Sequence, residues 1–275
     1  MNQDEKYEIE TARDYVVSKS NILVQKNRYN LSVPEQKTIA FICSMIKPVE
    51  VLDKINSVPY QLEYEFDIRK YCQICNIDYD SGKNYADIKA ILKGLSDKSM
   101  WVTFDDKPDE EVLCRWLAKV RTNKRSGIAH IKLDEDLVPY LFDLKNRFTS
   151  YGLRNILCMK SQYSIRLYEL LKSYKIQVTK TFTIEEFKKL LMIEDIKSYN
   201  RFPDLRRKVL EPAMKEINEY TDIDVTYREI LKGRKVIKLE FHIKSKEQSC
   251  IYGYLHIQLA SIKRSLTCIK RPARL

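Results

Sequence analysis

Four basic side chains lie close together in the stretch RFPDLRRKVLEP, residues 201–212. They are Arg201, Arg206, Arg207 and Lys208. An arginine can present two parallel N–H donors to guanine O6 and N7, and any of the four can bind a phosphate. The same stretch could instead be a solvated helix face that Pro212 interrupts. The rest of the chain distinguishes these two interpretations.

Residues suited to catalysis or metal binding are scarce. The three histidines form no HxH pair, and HExxH, GxSxG, GxGxxG and GxxxxGK[ST] motifs are absent. Cys72 and Cys75 form a single CxxC with no second pair, so we expect structural cysteines and no zinc site. We therefore expect no enzymatic activity, no cofactor and no metal.

The positive charge is unevenly distributed. The net charge is +11 over the chain, made up of −1 in residues 1–150 and +12 in residues 151–275. A basic half beside a near-neutral half favours a polyanionic partner, most simply nucleic acid. No apolar run reaches the ~18 residues of a membrane span, and the acidic opening has no secretory pattern. With seven cysteines, an odd number, we expect a reduced cytoplasmic protein with no membrane partner.

The first half has the element order of a winged helix. Ser32, Pro34 and Glu35 mark the start of a helix. Alternating apolar residues in QLEYEFDI predict a strand, followed by two helices, IRKYCQICN and YADIKAILKGLSDKS. MWVTF predicts another strand, and EVLCRWLAKVRTNKRSGIAHIKL predicts a hairpin with TNKRSG at its tip. The short helix DEDLVPYLF follows.

The same order returns in the second half. SQYSIRLYELLKSYK predicts a helix, and KTFTIEEFKKLLMI predicts a strand and a helix that Thr183 and Glu186 cap. RFPDLRRKVLEPAMKEINEY is a longer helix, with a bend or fresh start near Leu210–Glu211 because of Pro212. A hairpin with its tip at residues 232–234 ends the pattern. The fold class is therefore α+β, with two tandem winged-helix domains, each a helix-turn-helix followed by a β-hairpin wing.

The predicted domains are residues 19–148 and 149–246, with a mobile segment over 1–18 and a basic tail over 247–275. In the second domain the long helix is the candidate recognition helix, with Leu205, Val209, Ala213 and Ile217 facing the core. The expected DNA contacts of this domain are Arg201, Arg206, Arg207, Lys208 and Lys215 on the helix and Lys232, Arg234 and Lys235 on the wing. The first wing offers Lys119, Arg121, Lys124 and Arg125.

Three stretches carry a resemblance to a known family. SNILVQKNRYNLSVPEQKTIAFICSMI, MKSQYSIRLYELLKSY and the segment from FPDLRRK to EFHI are similar to the iteron-binding plasmid replication initiators, the initiator Rep proteins. The resemblance covers residues 15 to 245 and implies binding to double-stranded direct repeats (iterons) at a plasmid origin. It also implies recruitment of host replication initiator and helicase proteins, a monomer–dimer equilibrium that serves copy control, and repression of the chain's own gene by the dimer.

The resemblance also divides the roles between the domains. It implies that the second domain makes the principal base contacts, while the first dimerises and adds DNA contacts. It places Lys160, Ser161 and Arg166 on the signature at the domain junction, with a phosphate or structural role. The tail resembles no family element. Two other classes stay open, a winged-helix transcriptional repressor without initiator activity and a metal-dependent nicking enzyme.

Overall fold

The computed structural model of the chain describes residues 3–46, 60–77, 82–104, 109–144 and 147–246. The predicted tail over 247–275 lies outside these residues. Within them, no helix combines the length and the apolar character needed to cross a membrane.

The first half contains a helical cluster and three small antiparallel sheets. The sheets have the strand orders β2-β6-β5, β3-β4 and β1-β7. In chain order the elements are α1 (Gln3–Arg13), β1 (Val16–Ser20), α2 (Asn21–Gln25), α3 (Val33–Met45), β2 (Glu63–Asp67), α4 (Ile68–Ile74), α5 (Gly82–Asp97), β3 (Ser99–Thr103), β4 (Glu111–Arg115), β5 (Leu117–Asn123), β6 (Ile128–Leu133), a 3-10 turn (Glu135–Leu137), α6 (Val138–Leu141), β7 (Phe148–Gly152) and α7 (Arg154–Leu157).

Helix α3 begins where the sequence predicts. The carboxylate of Glu35 accepts a hydrogen bond from the backbone N–H of Ser32 at 2.7 Å, and Pro34 lies in the first turn, where its missing N–H leaves no intrahelical bond unmade. Ile39 and Ile42 are buried on its inner face.

The structure corrects one expectation for the first half. The predicted hairpin from Glu111 to Leu133 is wrong in its first strand, because β4 pairs with β3 and only β5 and β6 form the wing. The buried Trp116 lies at the break between β4 and β5. Within residues 3–18 of the segment expected to be mobile, the structure has α1 and the start of β1. Ile9 and Ala12, three residues apart on one face of α1, are both buried.

The second half is a three-helix winged helix with strand order β8-β10-β9, all antiparallel. Its elements are α8 (Gln162–Ser173), a 3-10 turn (Lys175–Gln177), β8 (Thr179–Thr183), α9 (Ile184–Leu190), a 3-10 turn (Lys197–Asn200), α10 (Phe202–Leu205), a π turn (Arg206–Leu210), α11 (Glu211–Tyr220), β9 (Ile223–Lys232) and β10 (Lys235–Ser245). The predicted cap of α9 is present, since the Thr183 hydroxyl accepts from the N–H of Glu186 at 3.1 Å.

One apolar core runs through both halves. Helix α8 lies at its centre, with every residue from Ser164 to Leu171 buried, and packs against α2, α3 and α11. The two winged helices therefore share packing, and α8 is the element that holds them together. This buried position leaves the later helix, from α10 to α11, with one face on α8 and the other toward solvent.

Candidate DNA interface

The helix from Phe202 to Tyr220 is amphipathic in the way that the sequence predicts. Leu205, Val209, Ala213 and Ile217 are fully buried. Pro203 lies in the first turn, where a proline fits without loss of an intrahelical hydrogen bond. The basic residues therefore lie on the part of the helix that the core does not cover.

A π turn over Arg206–Leu210 accommodates Pro212. Pro212 has no N–H to donate to the carbonyl of Lys208, and its ring would crowd that carbonyl in a regular helix. The N–H of Glu211 instead donates to the carbonyl of Arg206, five residues earlier. The predicted irregularity thus takes the form of a widened turn immediately before the proline.

The arginines of the helix are paired with carboxylates. Arg207 and Arg201 lie 3.3 Å and 3.8 Å from the carboxylate oxygens of Asp204, in the first turn. Arg206 donates from Nη2 to Oε1 of Glu229 on β9, and this hydrogen bond raises the pKa of the Arg206 guanidinium. The guanidinium also lies over the ring of Phe202, 5.2 Å from its centroid.

Lysines supply the unpaired positive charge. Lys208 and Lys215 are exposed, and no carboxylate of the described residues lies within 4 Å of either ammonium group. An unpaired, solvated lysine is a mobile point charge suited to a phosphate. The helix therefore presents two kinds of cation, arginines paired with carboxylates and unpaired lysines that can reach a phosphate.

The wing places three more cations beside the helix. Lys232, Arg234 and Lys235 are exposed at the tip between β9 and β10, and Gly233 adopts φ +63°, which the tight turn requires. Between the tip and the start of α10 lies an open cleft of about 640 Å³. Its lining includes Phe202, Arg206, Glu229, Leu231, Lys232 and Lys235.

The junction residues hold the fold together. The backbone N–H groups of Lys160 and Ser161 donate to the carboxylate of Glu216 on α11, at 3.0 and 3.3 Å. The Ser161 hydroxyl caps α8 by accepting from the N–H groups of Tyr163 and Ser164. The side chain of Lys160 is exposed, so of these two it is the one that can reach a phosphate.

Of the two roles implied for Arg166, phosphate contact or structure, its surroundings favour the structural one. Its residue is only 4% exposed, and its guanidinium donates to the hydroxyl of Tyr29 and to the carbonyl of Asn27, both at 2.9 Å. The guanidinium also lies 4.4 Å from the centroid of the Tyr29 ring. Arg166 therefore joins α8 to the segment before α3.

The first wing carries its cations on exposed surface. Lys119 and Arg121 lie on β5, and Lys124 and Arg125 lie in the turn before β6. Helix α5, the candidate recognition helix of this domain, is less suited to binding an anion. Lys93 pairs with Asp97 on the same helix, and Lys98, just after it, pairs with Glu35 at 2.5 Å. The first domain therefore offers its wing rather than its helix to an anion.

The CxxC cysteines lie in the core of the first half. Cys72 is buried and Cys75 half-buried. Burial raises the pKa of Cys72 to about 11 and that of Cys75 to about 12, so both are neutral thiols at pH 7. Among the described residues, no trio of His, Cys, Asp or Glu is arranged to hold a metal ion.

Comparison with known proteins places these features in a family. The model for "Initiator Replication protein, WH1" matches residues 16–172, and the model for "Initiator Rep protein, WH2" matches residues 183–243. The chain belongs to the initiator replication protein family. The family models confirm the predicted family and the two winged-helix domains.

Individual relatives agree. A "Replication initiation protein" from Escherichia coli is 27% identical over 244 residues, which cover 86% of this chain and 71% of the relative. The "PI protein" from Escherichia coli is 30% identical over 174 residues, 56% of this chain and 55% of that protein. The solved structure of the Pi initiator protein in complex with iteron DNA has a TM-score of 0.65 at 20% identity, and the match covers 86% of this chain and 99% of that one. At this identity the structural match shows a common fold.

Proposed function

We propose that this initiator binds direct repeats in double-stranded DNA at a plasmid origin and starts replication there. The observation that carries the proposal is the basic surface formed by exposed cations beside one cleft, on the helix at Arg207 and Lys208 and at the wing tip around Arg234. Support also comes from the related Pi initiator, whose solved structure contains iteron DNA.

The positions of the cations suggest two roles, one in reading bases and one in binding phosphates. The basic residues occupy the first turns of the helix, the end that contacts base edges in helix-turn-helix proteins. We propose that Arg207 reads a guanine in the major groove, since its fork can leave Asp204 for a base at little cost on a 70% exposed side chain. Lys208, Lys215 and the wing cations then hold the flanking phosphates.

Self-association is proposed for the first domain. Trp101 on β3 and Leu113 on β4 lie opposite each other and are 57% and 52% exposed. A second copy that covers this pair would remove two large apolar side chains from water. The proposed role has four further parts. The initiator recruits host replication initiator and helicase proteins, and its dimer represses its own gene. It acts in the cytoplasm and without catalysis.

The test begins with the full chain and a randomised duplex pool. Repeated selection should yield one preferred sequence, and a gel-shift series should show weaker binding to a scrambled duplex. Arg207→Ala should lower preference at one base pair by ~1–3 kcal/mol. Failure to select any sequence would contradict the proposal.

The selected duplex then distinguishes the three classes of protein. A plasmid whose origin carries direct repeats of the selected sequence should replicate in cells only when the chain is supplied. A repressor would silence a promoter but would not support replication. A nicking enzyme would relax supercoiled DNA with Mg²⁺, and we expect no relaxed product.

A further inference from the structure

The ion pair between Arg206 and Glu229 joins the recognition helix to the wing. Arg206 is the first residue of the π turn, and Glu229 lies on β9, three residues before the wing tip begins at Lys232. The guanidinium donates to the carboxylate and stacks on Phe202. Of the described cations on this helix, Arg206 is the one that a carboxylate of another element holds.

The pair faces the cleft between helix and wing rather than the outside of the sheet. Glu229 pairs in register with Leu239, which is fully buried, so Glu229 lies on the sheet face that packs against the helices. Its side chain is 22% exposed and that of Arg206 is 41% exposed. Both groups border the cleft between helix and wing.

A carboxylate in this position is unfavourable for simple attraction of DNA. It cancels one positive charge in the middle of the basic surface, between the lysines of the helix and the cations of the wing. A surface selected only for affinity would gain a phosphate contact from a free arginine. The same carboxylate restricts the conformations of the guanidinium, which favours a contact of fixed geometry such as a base edge.

We propose that Glu229 is a specificity-determining residue that holds Arg206 for a base contact and keeps it off the phosphate backbone. The inference rests on the proposed function. Arg206 then contributes to discrimination between sequences but little to nonspecific affinity, because Arg206 and Glu229 are neutral as a pair. Glu229 acts through Arg206 and is therefore a positioning residue.

The test uses the full-length chain, the duplex selected by the wild-type protein and a scrambled duplex of the same length, over a salt series. Glu229→Gln keeps the size and a hydrogen-bond acceptor but removes the charge. It should strengthen binding to the scrambled duplex and steepen log K against log[salt] by about 0.9, as Arg206 moves to a phosphate. Discrimination between the duplexes should fall at least about fivefold, the smallest effect of losing one bidentate base contact.

A matched control lies on the other face of the same sheet. Glu240 on β10 and Arg228 on β9 lie opposite each other in the sheet. They form an ion pair, with 2.5 Å between Oε1 of Glu240 and Nε of Arg228. Glu240→Gln makes the same change in net charge and should leave discrimination unchanged. In Arg206→Gln with Glu229→Gln, the steeper salt dependence should disappear, because the arginine that caused it is gone.

The outcomes separate the two proposals. If the wild type selects no sequence, the proposed function fails. If the wild type discriminates but Glu229→Gln matches Glu240→Gln in discrimination and salt slope, the role of Glu229 is wrong while the function stands. Thermal unfolding of each variant shows whether the fold is intact. A Glu229→Gln chain that unfolds at the wild-type temperature yet binds scrambled DNA more tightly supports the inference, and one that loses stability without gaining nonspecific affinity overturns it.

Discussion

The ammonium of Lys19 lies 2.6 Å from Oε1 of Glu169, with both side chains only 3% exposed. Lys19 belongs to β1 and Glu169 to α8, 150 residues apart in sequence. Tyr29 and Tyr151 also donate to the Glu169 carboxylate from their hydroxyls. A buried charge is tolerated only with such partners, so this cluster fixes the start of the chain against the central helix.

Removing one partner of this pair should destabilise the protein strongly. Lys19→Met or Glu169→Leu alone leaves a buried charge without its partner, which costs about 3–5 kcal/mol. The double variant should be more stable than either single variant, because it buries no unpaired charge. Urea unfolding at pH 7 measures the three free energies of unfolding. A double variant less stable than both singles would contradict this account.

The same pair sets an acid dependence. Burial alone would raise the pKa of Glu169, but the Lys19 ammonium and the hydrogen bonds outweigh burial and hold that pKa below its usual range. A depressed carboxyl pKa contributes stability that is present above the unfolded value of about 4.5 and is lost as the pH falls through the folded value. The double variant should therefore lose less stability between pH 5 and pH 3 than the wild type.

Arg166 should matter for stability rather than for DNA contact. Arg166→Ala leaves the carbonyl of Asn27 and the hydroxyl of Tyr29 without their donor in a buried site, and we expect a loss of about 2–4 kcal/mol in the free energy of unfolding. At temperatures where the variant is folded, the salt dependence of DNA binding should be unchanged. A salt slope lower by about one unit would instead mean a phosphate contact.

Lysines of the recognition helix should act on all DNA sequences alike. Lys208→Ala and Lys215→Ala should each weaken binding to selected and scrambled duplexes equally and lower the salt slope by about 0.9. Lys244 is an exposed lysine near the opposite end of β10 from the wing tip and serves as the control. If Lys244→Ala gave the same slope change as the helix variants, the helix would be an ordinary solvated face.

Gly233 should be needed for the conformation of the wing. A Cβ at this position would meet no atom within 4 Å, but the residue has φ +63°. Gly233→Ala should therefore cost about 1–2 kcal/mol through backbone strain alone and weaken DNA binding. Gly152 also has open space around it, without a positive φ, so Gly152→Ala is the matched control and should change stability little.

Trp101 should report on self-association. Trp101→Lys should shift the chain toward monomer in sedimentation velocity, because a charge replaces the exposed indole opposite Leu113. Ile176→Lys alters an apolar side chain that is 96% exposed on the second domain and should leave the association constant unchanged. An unchanged monomer–dimer equilibrium in Trp101→Lys would exclude the β3–β4 face.

Local signals in the sequence predicted the elements well. Ser32 with Glu35 and Thr183 with Glu186 cap their helices as expected, because a capping box depends only on residues three positions apart. The four-residue spacing from Leu205 to Ile217 predicted the buried face for the same reason.

Contacts between distant residues could not be predicted in this way. Arg166 looks like any cation on an amphipathic helix, and its partners Asn27 and Tyr29 lie almost 140 positions away. β4 has the alternating pattern of a wing strand, but its partner is β3, and a bend at the buried Trp116 separates β4 from β5. Glu229 was missed as a site residue, since only the folded hairpin brings it to Arg206. The ion pairs of Asp204 could have been predicted from the sequence, because Asp204 lies three positions from both Arg201 and Arg207.

The π turn at Arg206–Leu210 acts as a phase adjustment between the two ends of one helix. Successive residues of an α-helix are about 100° apart around its axis. One extra residue in a wide turn therefore rotates the side chains of the first turns by about that angle relative to those of α11. The rows on α11 that pack on α8 stay fixed. A deletion of one residue within the turn would therefore rotate the first turns against α11 and turn the buried Leu205 away from the core. The wide turn thus lets Leu205 before it and Ala213 and Ile217 after it reach one core, while Arg207 and Lys208 within it stay exposed.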